Sequence, residues 1–196
     1  SAELPSLTLS GAKTLTLTTA LNTGSIATTN SNLNTGGNDL TTGSANTNTT
    51  FAGVISGAGK LIKEGSGVFS LSGTNTYSGL TRIDEGTLKI SGSGKLGNGS
   101  YSKKIQNSGT FDYASSATQT LSGVISGSGG ITASGSGALT LTGTNTFTGA
   151  VVLTGGGNLV AGSAAALGAN APAIASGSIS DQFSVSDGVT LACLLY

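Results

Sequence analysis

The chain of 196 residues contains no histidine, so the commonest general base and metal ligand of proteins is missing. A Ser-His-Asp triad and the usual zinc sites therefore cannot be assembled. Polysaccharide lyases and hydrolases with β-helical folds need clustered carboxylates instead. The adjacent pair Asp84-Glu85 lies in the short segment RIDEG, which favours a turn. We therefore expect no catalytic residue, no cofactor and no metal site, and we interpret the chain as non-enzymatic.

Cysteine and long apolar runs are also scarce. The one cysteine, Cys193, cannot form an intrachain disulfide, and its place in LACLLY predicts a buried apolar role. No run approaches the roughly 20 apolar residues of a membrane-spanning helix, so we expect no membrane span. The start, SAELP, is no signal peptide, and we expect a mature form from which a signal has been removed.

Charge is low as well, at 8% of residues, and the formal net charge is zero. Nucleic-acid binding depends on a basic surface that neutralises phosphates, so we expect no nucleic acid as a partner. Seven of the eight basic residues fall between residues 60 and 104. We interpret this concentration as solvated corners of the fold.

What the chain has in abundance is glycine, with 33 residues, and a duplicated segment. Residues 53–83 align with residues 123–153 at an offset of 70, and 15 of the 31 positions are identical. Each copy consists of short β-branched and aliphatic pieces, such as GVISG and FSLSG, closed by Gly, Ser or Asn. Such pieces predict strands separated by tight turns.

Evenly spaced strands without helices between them predict an all-β fold, a right-handed parallel β-helix (β-solenoid). We expect roughly 8–9 coils in a rod about 40 Å long, with three coils of about 20–25 residues in each 70-residue unit. The whole chain, 1–196, is then a single domain. Its parts are N-terminal coils (1–52), a first unit (53–122), an incomplete second unit (123–168) and a C-terminal coil or interface segment (169–196).

The segment from Gly53 to Ile90 resembles the passenger-associated repeat of bacterial autotransporters. The resemblance rests on G-x-I-x-G-x-G-x-L, a G-x-G pair, L-x-L-x-G-x-N-T-Y-x-G-x-T and a closing G-T-L. The second copy keeps most of the pattern but has GGGNLV in place of EGTLKI. The resemblance implies a secreted β-helical passenger, exported across the outer membrane to the bacterial cell surface, either as a passenger-like piece or as a stand-alone relative.

Two pairs of residues occupy matched places in GTNTY and GTNTF. We expect Asn75 and Asn145 to be corner residues whose amides satisfy backbone groups. Tyr77 and Phe147 are expected to pack inside or against a corner as apolar anchors. A ligand-binding role for the asparagines and a sugar-stacking role for the aromatic rings are the alternatives.

Two other motifs have a functional alternative. The segment TGGNDL, with Asp39, is similar to one copy of a calcium-binding repeat, but a single copy favours a turn. Threonine-rich runs are found at Thr14–Thr19, Leu139–Gly143 and Ala45–Thr50 and suggest ice binding, which usually needs shorter and stricter repeats.

The predicted function is a structural or adhesive rod. End-to-end self-association into extracellular filaments is expected because solenoid ends expose unpaired strand edges. The apolar run Gly188–Tyr196, which includes Leu194 and Leu195, is a second reason to expect it. A host or neighbouring cell surface is the other expected partner. A glycan- or ice-binding β-helix, or a non-catalytic fragment of a polysaccharide-active enzyme, is the alternative.

Overall fold

The computed structural model describes residues 3–168 and the backbone of two later strands, Ile174–Ser176 and Gln182–Val185. All paired strands in these parts run parallel, and a strand inside a sheet pairs with the strands one coil before and one coil after it. This confirms the expected all-β solenoid of about eight turns. The longest sheet has nine strands, which gives a stack about 38 Å long at the usual strand spacing.

The coil is a triangle with three faces, and the chain passes from face 1 to face 2 to face 3 in each turn. Face 1 is the nine-stranded sheet, in the order β1 (Leu7–Leu9), β4 (Ile26–Thr28), β7 (Thr49–Phe51), β10 (Val68–Leu71), β12 (Thr87–Gly92), β15 (Thr110–Ser115), β18 (Gly130–Ala133), β20 (Val151–Leu153) and β22 (Ile174–Ser176).

Face 2 is divided into two sheets. The first contains β2 (Thr14–Thr16), β5 (Asn32–Asn34) and β8 (Ile55–Ser56), and the second contains β13 (Ser100–Tyr101), β16 (Gln119–Leu121), β19 (Ala138–Leu141), β21 (Asn158–Ala161) and β23 (Gln182–Val185). Between the two sheets, residues 73–80 cross face 2 without a strand, and a 3₁₀ turn, Gly97–Gly99, precedes β13.

Face 3 is one six-stranded sheet. It consists of β3 (Leu21–Thr23), β6 (Leu40–Thr42), β9 (Leu61–Lys63), β11 (Thr81–Ile83), β14 (Ile105–Asn107) and β17 (Ile125–Ser126). On faces 1 and 2 the alternation of the sequence places mostly aliphatic and aromatic side chains inside, whereas face 3 also buries polar side chains, among them Thr23, Thr42 and Asn107.

The core consists of columns of inward side chains that stack from coil to coil. On face 1 the register joins Leu71 to Ile90 and Ile90 to Tyr113, which sets coil lengths of 19 and 23 residues. These three side chains are 0% exposed. Burying an aliphatic or aromatic side chain of this size contributes about 1.5–3 kcal/mol. A thin rod can therefore be stable because each coil adds several such side chains to a continuous column.

A column of glycines lies at the corner between face 3 and face 1. Its members are Gly43, Gly65, Gly86, Gly109, Gly129 and Gly149. A Cβ atom added at Gly129 would lie 2.3 Å from the carbonyl oxygen of Gly109. One added at Gly149 would lie 2.2 Å from the carbonyl oxygen of Gly129. The column therefore lets the chain turn this corner at the same place in successive coils without a collision between them.

The two copies of the duplicated segment lie on different faces. Ile55 belongs to face 2 and its counterpart Ile125 to face 3, and β10 of face 1 corresponds to β19 of face 2. If the strandless crossing at 73–80 is counted, ten face positions separate β8 from β17. Three positions complete a turn, so the 70-residue unit spans three turns and one further face. The expectation of three coils per unit is corrected accordingly, because about seven residues are needed to cross each face.

We predict that Gly129→Ala lowers the free energy of unfolding by about 1–3 kcal/mol, because the new methyl group collides with the backbone of the preceding coil. Urea unfolding followed by circular dichroism measures the change. Gly37→Ala is the matched control, since an added Cβ there would have no described atom within 4 Å apart from those of its own chain neighbours. Equal midpoints for the two variants would contradict the proposed role of the glycine column.

Candidate functional site

Asn75 joins three coils at the point where face 2 has no strand. Its Oδ1 accepts a hydrogen bond from the N–H of Ile55, at 3.0 Å, in the preceding coil. Its Nδ2 donates to the carbonyl oxygen of Lys95, at 3.2 Å, in the following coil, and its backbone N–H donates to the same oxygen. Asn75 is 0% exposed. The amide thus takes over the hydrogen bonds that a strand would have made.

Asn145 makes the equivalent contacts in the second copy, one face further round the rod. Its Oδ1 accepts from the N–H of Ile125 at 2.8 Å, and its Nδ2 donates to the carbonyl oxygen of Ala166 at 2.6 Å. The expected role of both asparagines, satisfying backbone groups, is confirmed. The structure adds that the groups belong to neighbouring coils as well as to the same corner.

Tyr77 packs inside, as expected, and belongs to a hydrogen-bonded group in the first copy. The Tyr77 hydroxyl lies 2.6 Å from Thr81 Oγ1, and that oxygen lies 2.9 Å from the hydroxyl of Tyr101 in the next coil. Tyr101 donates in turn to the carbonyl oxygen of Gly79 at 2.6 Å. The two rings meet edge to face, with centroids 5.7 Å apart. Burial raises the pKa of Tyr101 to about 12 and that of Tyr77 well above its ordinary value.

The second copy has an apolar version of the same arrangement. Phe147 replaces Tyr77 and Val151 replaces Thr81, and both are 0% exposed. The expectation that Phe147 packs inside is confirmed. The polar group around Tyr77 is therefore an addition to the first copy and is not required by the coil itself.

Lys63 differs from the expectation that the basic residues lie in solvated corners. It is 1% exposed, and its Nζ donates to the carbonyl oxygens of Glu64 and Gly65, each at 2.6 Å. Burial lowers the pKa of Lys63, while the carboxylates of Glu85 and Glu64 act in the opposite direction. Sequence reasoning missed this residue. Lys63 is the last residue of its strand, and its partners in the neighbouring coils, Thr42 and Ile83, have inward side chains. This register is the feature that indicates the burial of Lys63.

The acidic residues that were considered as chemical groups have structural partners. Asp84 accepts from Arg82 at 2.6 Å, and Asp39 forms an ion pair with Lys60 at 3.2 Å. Asp39 also accepts the backbone N–H of Lys60 in the next coil at 3.0 Å. The expected turn is found just before it, at Gly36-Gly37, where the N–H of Asn38 donates to the carbonyl oxygen of Thr35 at 2.8 Å. Across residues 3–168, no group of three or more acidic, histidine or cysteine side chains could hold a metal ion.

The threonine-rich segments do not align into a regular threonine array. The outward row of face 1 contains Thr50, Ser70, Lys89, Asp112 and Thr132 in register. Lys89 and Asp112 form an ion pair at 3.0 Å within this row. A charged pair interrupts the flat hydroxyl surface that an ice-binding face would need, which argues against ice binding by face 1.

The expectations for Cys193, Leu194 and Leu195 fall outside the described residues. So does the interface role suggested for the run Gly188–Tyr196. In the described part of the chain, no helix is long and apolar enough to span a membrane.

The two copies that share this geometry also match a known family of repeats. The model of the passenger-associated-transport-repeat matches residues 61–90 and 131–160. Two segments of the chain therefore match the passenger-associated transport repeat, and they are called the transport repeats below. Each transport repeat begins on one coil and ends on the next, and each includes its bridging asparagine, Asn75 or Asn145. The resemblance expected from the sequence is thus confirmed.

A curated relative supports the same assignment. The chain is 45% identical over 58 residues to the "Adhesin BmaC autotransporter" of Brucella suis biovar 1 (strain 1330). The matched region covers 30% of this chain but 2% of that relative's own length. No solved structure matches the chain significantly.

We predict that Asn75→Ala lowers the free energy of unfolding by about 1–3 kcal/mol, because the buried N–H of Ile55 loses its acceptor. Urea unfolding is the measurement, and Asn145→Ala should behave in the same way. Ser78→Ala, which removes an exposed hydroxyl three residues from Asn75, is the control and should change stability little. A stability loss no larger than that of the control would show that the amide does not bridge the coils.

Proposed function

We propose that the chain is a segment of a surface-displayed, non-enzymatic adhesive rod of the autotransporter passenger type. The observation that carries the proposal is the presence of two transport repeats within an uninterrupted stack of parallel coils. The relative named as an autotransporter adhesin supports export to the cell surface and adhesion as the role. Such a rod places its lateral faces at a distance from the membrane, where they meet other surfaces.

The chemistry of the described faces supports binding as the role. Asp39, Asp84 and Asp112 are each held in an ion pair, which leaves them poorly suited to general acid or base catalysis. The outward positions on the strands are mostly hydroxyl and small side chains. Such a surface offers many hydrogen-bonding groups to a partner while remaining soluble with few charges.

The proposal is tested by displaying the chain on a non-adherent bacterium through an autotransporter translocator. We expect the displayed chain to raise adherence to cultured host cells several-fold over the same translocator carrying an unrelated domain. The double variant Asn75→Ala/Asn145→Ala, adjusted to equal surface amount, is the matched control and should adhere less. Equal adherence of the chain and the unrelated domain would contradict the adhesive role.

We also propose end-to-end association with a second copy, supported by the N-terminal end of the stack. Leu15 occupies the inward position that pairs with Leu33, yet Leu15 is 37% exposed while Leu33 is 0% exposed. Among the described residues, β1 and β2 lie at the outer ends of their sheets, so their outer edges have no strand partner. An apolar core floor with open strand edges has the chemistry to accept another coil, which a second copy or an adjoining segment of a longer chain would supply.

We predict that Leu15→Lys blocks this association, because a charged side chain at the uncovered floor opposes stacking of an apolar coil. Light scattering at several concentrations, with negative-stain electron microscopy, measures the assembly state. Leu194→Asp with Leu195→Asp tests the other end of the chain. Val124→Lys is the control, since Val124 is 39% exposed but belongs to a middle coil. An assembly state that Leu15→Lys leaves unchanged would rule out the stacking.

A further inference from the structure

A lateral depression opens on face 2 at the place where the strands are interrupted. Tyr77 and Tyr101, which are 1% and 2% exposed, form its floor. Exposed polar side chains from two successive coils form its rim, among them Ser78, Asn98, Ser100 and Lys103. We call this depression, of about 240 Å³, the tyrosine pocket. We propose that the tyrosine pocket binds an anionic saccharide.

The floor of the tyrosine pocket is held rigidly. Thr81 Oγ1 lies within hydrogen-bonding distance of both tyrosine hydroxyls, so the two rings cannot rotate away independently. Tyr101 is anchored further by the carbonyl oxygen of Gly79. Asn98 on the rim has a φ of 56° in the 3₁₀ turn, and its backbone N–H donates to the carbonyl oxygen of Asn75 at 3.1 Å. The pocket is therefore formed before any ligand arrives, which reduces the entropy lost on binding.

The charge around the tyrosine pocket is positive and unneutralised. Lys103 lines the pocket, Lys104 follows it in the chain, and the Lys95 side chain passes beside Gly99. Among the described residues none of these three lysines forms an ion pair, whereas Lys60, Arg82 and Lys89 each do. No acidic side chain lines the pocket within the part of the chain that the structure describes. In a chain with so few charges, an unpaired lysine on the rim, with two more unpaired lysines in the same segment of the chain, favours an anionic ligand.

The second transport repeat provides an internal comparison. With the one-residue shift that aligns Leu96-Gly97 with Leu167-Gly168, the segment KLGNGSYSKK corresponds to ALGANAPAIA. Every lysine and serine of the first segment is replaced by alanine or isoleucine in the second. Phe147 and Val151 replace Tyr77 and Thr81 in the same copy. The repeat therefore does not need the polar set, and a binding function explains its presence in the first copy.

The chemistry of the pocket identifies the class of ligand. Serine hydroxyls and an asparagine amide suit the hydroxyl groups of a sugar, and a lysine ammonium suits its carboxylate or sulfate group. The volume is below the roughly 300–1,000 Å³ of pockets that enclose a drug-sized molecule. The pocket therefore accommodates about one ring, with the rest of the saccharide along face 2. This inference rests on the proposed adhesive function and names the ligand through which adhesion would act.

The test measures binding of the purified full chain to three immobilised oligosaccharides: a sulfated heparin fragment, a hyaluronan fragment with carboxylates alone, and neutral maltohexaose. We expect binding to at least one anionic oligosaccharide and none to the neutral one. Binding to the heparin fragment alone indicates a sulfate ligand, whereas binding to the hyaluronan fragment indicates that a carboxylate suffices. Lys103→Gln and Asn98→Gly should each weaken binding about fivefold, since each removes one polar contact worth about 1 kcal/mol.

Lys13→Gln is the matched control and changes the net charge equally. Lys13 is exposed on an N-terminal coil and forms no ion pair with any residue in the described part of the chain. Unfolding midpoints of all variants show that the fold is intact. No binding to either anionic oligosaccharide, or equal weakening by Lys13→Gln and Lys103→Gln, would overturn the proposal. Because this assay uses no cells, a pocket that binds no saccharide would not contradict adhesion through another face of the rod. Conversely, if the displayed bacteria do not adhere, a measured affinity for a saccharide would still support the binding role of the pocket.

Discussion

The structure depends on one constraint, the fixed spacing of about 4.8 Å at which each coil hydrogen-bonds to the next. The backbone of each strand and of each shared corner must fit against the equivalent backbone one turn later. Inward positions must therefore repeat in size, which the columns of Phe, Tyr, Leu and Ile achieve. Corner positions must repeat in shape, and at the corner between face 3 and face 1 glycine alone leaves room for the neighbouring carbonyl oxygens.

Where a face lacks a strand, buried side-chain amides form the hydrogen bonds between coils that strand backbones form elsewhere. Asn75 and Asn145 each connect the preceding coil to the following one. Gln119 does the same for Leu96, accepting from its N–H at 2.8 Å and donating to its carbonyl oxygen at 3.1 Å. An unpaired backbone group in such a thin core would be costly, since little else is available to compensate. The transport repeat can therefore leave out a strand without weakening the rod at that point.

The two repeats are rotated by one face relative to each other, so the same scaffold is presented on different faces of the rod. The same sequence pattern forms on faces 2, 3 and 1 in the first copy and on faces 3, 1 and 2 in the second. Features carried by the repeats consequently point in different directions around the rod. The coil also tolerates Tyr77 or Phe147 and Thr81 or Val151 at matched buried places, so the polarity of the interior can vary from copy to copy while the hydrogen bonds between coils persist.

The sequence by itself determined the parallel solenoid, the number of coils, the inward packing of Tyr77 and Phe147 and the bonding role of the two asparagines. These follow from local signals: alternation, glycine-bounded strands and a repeated corner motif. Tertiary structure alone decided the one-face rotation, the burial of Lys63 and the meeting of Tyr77, Thr81 and Tyr101. Each of these depends on which residue lies one coil away, and coil lengths of 19 to 23 residues are set by the packing of turns rather than by any local pattern.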